Sequence, residues 1–330
     1  MKLPVDRAIF VNTGESDMTD NIYYFLGHKI SSGALIMPKR GRPKLFIPGF
    51  EYPMWKALIR DVHVVELKSF RNLVKNLTGT LGYDSTEMSA HLYQKIKNRS
   101  LKDIHTELRD MRMQKRPDEV CRIRKATEIT TKIFKAMLRK RWRHEQDIKR
   151  FLLVETAKHD CEPAFDPVVA SGKDAADPHY SGAKPLRHGF CVIDYGVRYQ
   201  GYRADVTRTV YVGKPKGYEK DLYERVRKVQ KECIALYRKG GPCKGPHEYA
   251  RQELGENLIH LTGHGIGLDI HEAPSVGGGG VFRNGMVVTC EPGYYIKGRL
   301  GIRIEDDLMI QGRHPLHLTK DIPTELICWP

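Results

Sequence analysis

Two aspartates eleven residues apart, Asp194 and Asp205, stand inside the apolar, β-rich string FCVIDYGVRYQGYRADVTRTVYVG (190–213). A carboxylate buried in an apolar strand is costly unless something pairs with it, so two such residues are hard to dismiss as turn or cap positions. Gly196 and Gly201 between them predict a hairpin or meander, which would carry both acids to one place. Three further residues follow in similar settings: His264 in TGHGIGLDIHEAP, Glu291 in VVTCEPGYY and Glu305 in GIRIEDDLMI. Taken singly, each has an ordinary explanation. Such an Asp is more often a turn or cap residue, a Gly-His-Gly string is weak evidence, and Glu305 could form a structural ion pair with Arg303 or Arg208. Together, four carboxylates and one imidazole suit two hard divalent cations that share oxygen ligands. Such a pair lowers the pKa of a bound water and polarises a carbonyl, so the set reads as metal-assisted hydrolysis.

Gly263, Gly265 and Gly267 let the backbone turn tightly beside His264 and leave room for metal and substrate. His260 lies four residues before it, His271 seven after it, and His179 follows Pro178 in VVASGKDAADPHYSG. Imidazoles near a metal pair can hold a scissile carbonyl oxygen or peptide nitrogen and stabilise a developing oxyanion. His63, His91, His105 and His188 read as surface residues. Cys290, beside Glu291, reads as a small buried hydrophobe rather than a nucleophile. Gly277 to Gly280 read as a flexible loop, because no Lys-Ser/Thr follows as a phosphate-binding loop requires.

At 330 residues the chain is long enough for two domains. Short apolar runs at 8–11, 21–27, 33–37, 44–49 and 62–67 predict strands, and 50–60, 69–77 and 88–98 predict helices, so the first part is an α/β layer. The polar string MRMQKRPDE (111–119) marks the boundary, giving domains over 1–113 and 114–330. Pro117, Asp118 and Glu119 suit a helix start, and the helical pattern runs to about 142. A second helix, the β-rich run, helices at 217–238 and 245–254, and strands at 286–296 and 301–311 complete the reading.

The formal charge of +15 raises the question of a polyanionic partner. The charge is diffuse: residues 1–116 hold 20 Lys and Arg against 12 Asp and Glu, and the remainder hold 35 against 28. The one dense run, KAMLRKRWRHEQDIKR (135–150), reads as a solvated helix face. No apolar stretch approaches the roughly 18 residues of a membrane span, MKLPVDRAIF carries no export-type stretch, and the seven cysteines are scattered singly. The expectation is a cytoplasmic protein without membrane or nucleic-acid partners.

The strings FDPVVASG (165–172), DPHY, VIDYGVRYQGYRADVTRT, TGHGIGLDIHEAP, TCEPGYY and GIRIEDD resemble, in order, the signatures of the pita-bread metallopeptidase superfamily (family M24), which contains methionine aminopeptidase, aminopeptidase P and prolidase. The first 110 or so residues resemble the creatinase/prolidase N-terminal domain at the level of pattern. The resemblance implies an α/β (α+β) chain with a C-terminal pita-bread domain and a smaller N-terminal α/β domain. It implies two divalent ions, manganese or cobalt foremost and zinc as an alternative. Asp194 would chelate one ion, His264 and Glu291 would hold the other, and Asp205 and Glu305 would bridge them. It also implies a metal-bridging hydroxide as nucleophile, Glu291 as general acid/base, and His179, His260 and His271 steadying the tetrahedral intermediate. The N-terminal domain and His260 resemble the Xaa-Pro branch, so the implied substrates are peptides with proline second, and relatives often form homodimers. Ser275 stands where prolidases often carry an arginine for the dipeptide carboxylate, which favours an Xaa-Pro aminopeptidase over a dipeptidase. A rival of another class is a non-catalytic protein on the same fold that binds nucleic acid or ribosomes. The intact ligand set argues against it, and tight duplex binding that weakens steeply with salt would favour it.

Overall fold

The computed structural model describes residues 3–14 and 20–330, which fall into two compact units, residues 1–111 and 112–330. The first unit contains, in order, β1 (Arg7–Asn12), α1 (Asp20–Leu26), β2 (Gly33–Pro38), β3 (Lys44–Ile47), α2 (Tyr52–Leu58), β4 (His63–Glu66), α3 (Phe70–Lys75), β5 (Leu81–Tyr83), α4 (Ala90–Ile96) and β6 (Leu101–Asp103), and α5 (His105–Met113) begins in it. Its six strands form one mixed sheet in the order β4-β3-β2-β1-β5-β6. Side chains alternate across a strand, so Ala8 and Phe10 enter one core with Leu35 and Leu45, while Ile9 enters the other with Ala34 and Ile36. Both faces of the sheet are therefore covered.

The segment NIYYFLG is a correction to the strand expected from its aromatic and β-branched residues: Asp20–Leu26 is helical. Its partners are far away in sequence. Asn21 N donates to Glu87 Oε1 at 2.9 Å and Asn21 Nδ2 to Asp84 Oδ2 at 2.7 Å. These bonds satisfy a first-turn amide that a helix leaves open, and Ile22, Tyr23 and Tyr24 are buried. Tertiary partners thus outweigh the local β preference.

The second unit opens with two helices, α6 (Pro117–Leu138) and α7 (Glu145–Lys158). The strands β7 (Glu162–Pro163), β8 (Val168–Ser171), β9 (Gly189–Tyr195), β10 (Val197–Tyr199), β11 (Tyr202–Arg203) and β12 (Val206–Val212) follow, then α8 (Gly217–Leu236) and α9 (Gly245–Leu254). The rest is strand: β13 (His264–Gly265), β14 (Glu272–Ser275), β15 (Val287–Cys290), β16 (Gly293–Ile296), β17 (Leu300–Arg303), β18 (Asp306–Met309), β19 (Leu316–His317) and β20 (Cys328–Trp329). One sheet runs β20-β12-β9-β8 and another β14-β13-β15-β18-β19.

Each sheet has its own pair of helices. Ile129, Ile133 and Phe134 of α6 and Ile148 and Leu152 of α7 pack on Cys191, Ile193, Val206 and Val210 of the first sheet. Tyr223, Val226 and Cys233 of α8 and Ala250 and Leu254 of α9 pack with Val288, Cys290 and Leu308 of the second. No helix among the described residues is long and apolar enough to cross a membrane.

Candidate metal centre

The alternation that sends Cys191, Ile193 and Tyr195 of β9 towards α6 and α7 sends Asp194 to the opposite face, with Phe190. In the antiparallel ladder Asp194 faces Thr207, and Asp205 lies two residues before Thr207. The two acids are therefore diagonal neighbours on one face. The chain between them turns back at Gln200 and Gly201, both with positive φ (46° and 82°), within the β10–β11 hairpin. Gly196 is required there, because a Cβ at this position would overlap the carbonyl of Ala204.

Glu291 and Glu305 come together by the same logic. The ladder between β15 and β18 ends at the pair Cys290–Asp306, and the next residue on each strand is one of these acids. Thr207 Oγ1 donates to Glu305 Oε2 at 2.7 Å, and Glu305 N donates to Thr207 O at 3.0 Å, which joins this pair to the hairpin acids. One ligand atom from each of Asp205, His264 and Glu305 lies within 4.8 Å of the others.

The His264 ring supplies the test of whether a metal fits. Its Nδ1 lies 3.0 Å from the carbonyl of Gly265, which can only accept, so Nδ1 carries the proton. Nε2 then presents a lone pair, 3.4 Å from Glu291 Oε1 and 3.7 Å from Asp205 Oδ2. A lone pair aimed at two carboxylates is repulsive unless a cation or proton lies between them. Asp194 Oδ1 and Asp205 Oδ1 are buried without a hydrogen-bond partner. Asp205 and Glu305 are pushed well above the ordinary carboxylate range, each first by burial, then Asp205 by Glu305 and Asp194, and Glu305 by Glu291 and Asp194. Burial likewise raises Glu291 to about 8. Against four carboxylates, Arg303 is the one full cation in contact among the described residues, its Nη2 2.5 Å from Asp194 Oδ2. A donor set of oxygens with one imidazole nitrogen, short of positive charge, fits divalent metal.

The other histidines expected at the site take different positions. The rings of His271 and His264 pack edge to face at 4.3 Å. His260 Nδ1 donates to the carbonyl of Leu261 at 2.7 Å, so Nε2 accepts from Tyr295 Oη at 2.9 Å. Burial holds His260 and His264 at about 4 and also lowers His271, so near neutral pH all three are uncharged. His179 is exposed and makes no ring contact among those described.

The two arginines that the sequence offers as partners for Glu305 form their ion pairs with other acids. Arg303, offered as a partner for Glu305, pairs with Asp194 and donates to Tyr295 Oη and Thr207 Oγ1, each at 3.0 Å. Arg208, the other expected partner, bonds the Glu305 carbonyl at 2.6 Å but forms its ion pair with Asp306 at 2.7 Å. Asp307, which accepts the Asp205 N–H at 3.0 Å, went unnoticed. The available signal was the run of charge inside an apolar strand, GIRIEDDL, where every ionised residue needs a partner.

The two sheets bring together a carboxylate and imidazole cluster with the donor chemistry of a metal centre. Residues 121–312 match metallopeptidase family M24 and residues 6–114 match the creatinase/prolidase N-terminal domain. The chain belongs to metallopeptidase family M24, with a pita-bread domain following a creatinase-type domain. It is 33% identical over 317 residues to the Xaa-Pro dipeptidase of Pyrococcus furiosus, covering 91% of each chain. Among solved structures it resembles the Xaa-Pro dipeptidase from Bacillus anthracis, with a TM-score of 0.90, 27% identity, and 98% of this chain and 95% of that one covered. It also resembles the X-Pro aminopeptidase from Thermotoga maritima, with a TM-score of 0.88, 27% identity and coverage of 98% and 97%.

Proposed function

We propose that this metallopeptidase hydrolyses the bond between an amino-terminal residue and a following proline, with Xaa-Pro dipeptides as its foremost substrates. The convergence of Asp205, His264 and Glu305 within 4.8 Å carries the metal-dependent part of this reading. The likeness to Xaa-Pro dipeptidases supports the substrate. The Xaa-Pro aminopeptidase reading is the second, favoured by Ser275: it lies opposite His264 in the ladder between β13 and β14 and brings no cation for a dipeptide carboxylate.

In this proposal Asp194, Asp205, His264, Glu291 and Glu305 hold two divalent ions, manganese or cobalt. The ions supply Lewis acidity towards the scissile carbonyl and an acidified water. Glu291 accepts the proton of the attacking water and delivers it to the proline nitrogen. His271 and His179 donate to the carbonyl oxygen as negative charge develops on it. His260, engaged at both nitrogens, orients Tyr295, which Arg303 holds from the other side. Singly scattered cysteines support a reducing compartment, the cytoplasm. A homodimer belongs to the same reading, and a monomer mass by light scattering at micromolar concentration would refute it.

The test is hydrolysis of Ala-Pro, Ala-Pro-Ala and Ala-Ala-Ala by metal-stripped protein resupplied with manganese, cobalt or zinc. Cleavage of Ala-Pro alone supports the dipeptidase, and tripeptide cleavage confined to Ala-Pro-Ala supports the aminopeptidase. Silence on all three with every metal refutes both.

A further inference from the structure

Glu272 follows His271 at the start of β14 and lies outside the donor set. Its carboxylate turns back into the loop between β13 and β14. Oε1 accepts the backbone N–H of Leu268 at 3.0 Å and of Asp269 at 3.2 Å, together with Arg112 Nη2 at 2.6 Å. Oε2 accepts Lys115 Nζ at 2.8 Å. The site is dry, with the Glu272 side chain 7% and that of Lys115 1% exposed. Gly267 makes the arrangement possible, since a Cβ there would lie 2.6 Å from Oε2. From the other side Arg203 N donates to Gly267 O at 2.9 Å and Arg203 Nε to Leu268 O at 2.8 Å.

The clamped loop has His264 at one end and His271 at the other, with Gly265 paired to Glu272 across the ladder. A buried ion pair is poor evidence for stability, because an apolar plug of the same volume often serves as well. An apolar plug cannot accept two loop amides, however. The carboxylate closes the turn from inside while the two cations fix where it sits. Burial opposes its ionisation, yet Lys115 and Arg112 hold it at about 2, so it remains a charged acceptor throughout the neutral range.

Building on the metallopeptidase reading, we propose that Glu272 is a positioning residue of the metal centre. Through the amides of Leu268 and Asp269 it sets the turn that places His264 against His271, and Arg112 and Lys115 anchor its carboxylate. This role is separable from charge neutralisation. In Glu272→Asp the charge and its cations remain, but the shorter side chain cannot reach both the cations and the loop amides.

The experiment compares wild type, Glu272→Asp and Lys115→Met as full chains. Thermal melting reports folding, equilibrium dialysis reports Mn2+ affinity, and steady-state kinetics on Ala-Pro separates kcat from KM. For folded Glu272→Asp the expected result is Mn2+ binding weakened by about ten- to a hundredfold, with kcat at saturating Mn2+ down at least about tenfold and KM within about twofold. A folded Glu272→Asp with wild-type Mn2+ affinity and kcat overturns the proposal. If that variant fails to fold, Lys115→Met decides: about tenfold weaker Mn2+ binding supports the role and unchanged binding overturns it. If wild type binds Mn2+ but leaves Ala-Pro and Ala-Pro-Ala intact, the peptidase proposal falls, and the Mn2+ affinities still decide the role of Glu272.

Discussion

Replacing Asp205 by Asn should move stability and function in opposite directions. Asp205 is buried, keeps Oδ1 without a partner, and shares its cage with Glu305, Asp194, Asp307 and Glu291. Its ligand oxygen lies within 4.8 Å of that of Glu305. Two unit charges at that distance repel by about 3.5 kcal/mol at an effective dielectric constant of about 20. Arg303 offsets part of this, and partial protonation of the cage offsets more, leaving about 2 kcal/mol of net strain that Asn relieves. For a unit of this size that corresponds to a rise of about 4–8 °C in the melting point of the metal-free protein at pH 7. With metal the order inverts. The variant lacks a charged ligand, so saturating Mn2+ stabilises wild type more than the variant, and loss of about 3 kcal/mol of Lewis-acid stabilisation lowers kcat on the order of a hundredfold. Melting curves with and without Mn2+, beside turnover of Ala-Pro, make the test. A metal-free variant less stable than wild type would refute the electrostatic account, and near wild-type turnover would refute the role of Asp205 as a ligand.

Arg303→Met removes the cation that pairs with Asp194, and breaking a buried pair should lower metal-free stability by about 3–5 kcal/mol in chemical denaturation. Added Mn2+ should restore part of that loss, and equal deficits with and without metal would count against a shared cage. Gly196→Ala drives a Cβ into the Ala204 carbonyl and should cost about 1–3 kcal/mol or more while loosening the hairpin that aligns Asp194 with Asp205, read as a lower melting point and weaker Mn2+ uptake. Glu272 also predicts an acid limb. Its folded pKa of about 2 lies below that of the unfolded chain, so its contribution of about 3 kcal/mol is present above pH 5 and disappears as pH falls towards 2. Lys115→Met should flatten that limb, and an unchanged acid-unfolding profile would show that Lys115 does not hold the carboxylate.

What could be read along the chain was whatever local pattern encodes. The alternation in FCVIDYGV placed Asp194 on the face opposite Ile193, and the glycines at 196 and 201 announced the turn that returns Asp205 to its side. Pro117 with two acids behind it marked the start of α6. Acids embedded in apolar strands marked side chains that need a partner, because isolated burial would be prohibitive. The choice of partner could not be read this way. Arg303 could have served Glu305 and instead serves Asp194, 109 residues away. Glu272 draws its cations from Arg112 and Lys115, 160 and 157 residues earlier, and α1 is helical because Asp84 and Glu87 satisfy Asn21. Sequence alone determined which side chains need a partner and which face of a strand they occupy, since both follow from burial and a period of two. Only the tertiary structure decided which partner each one gets, because an ion pair or a helix cap depends on distances that the folding of remote segments creates.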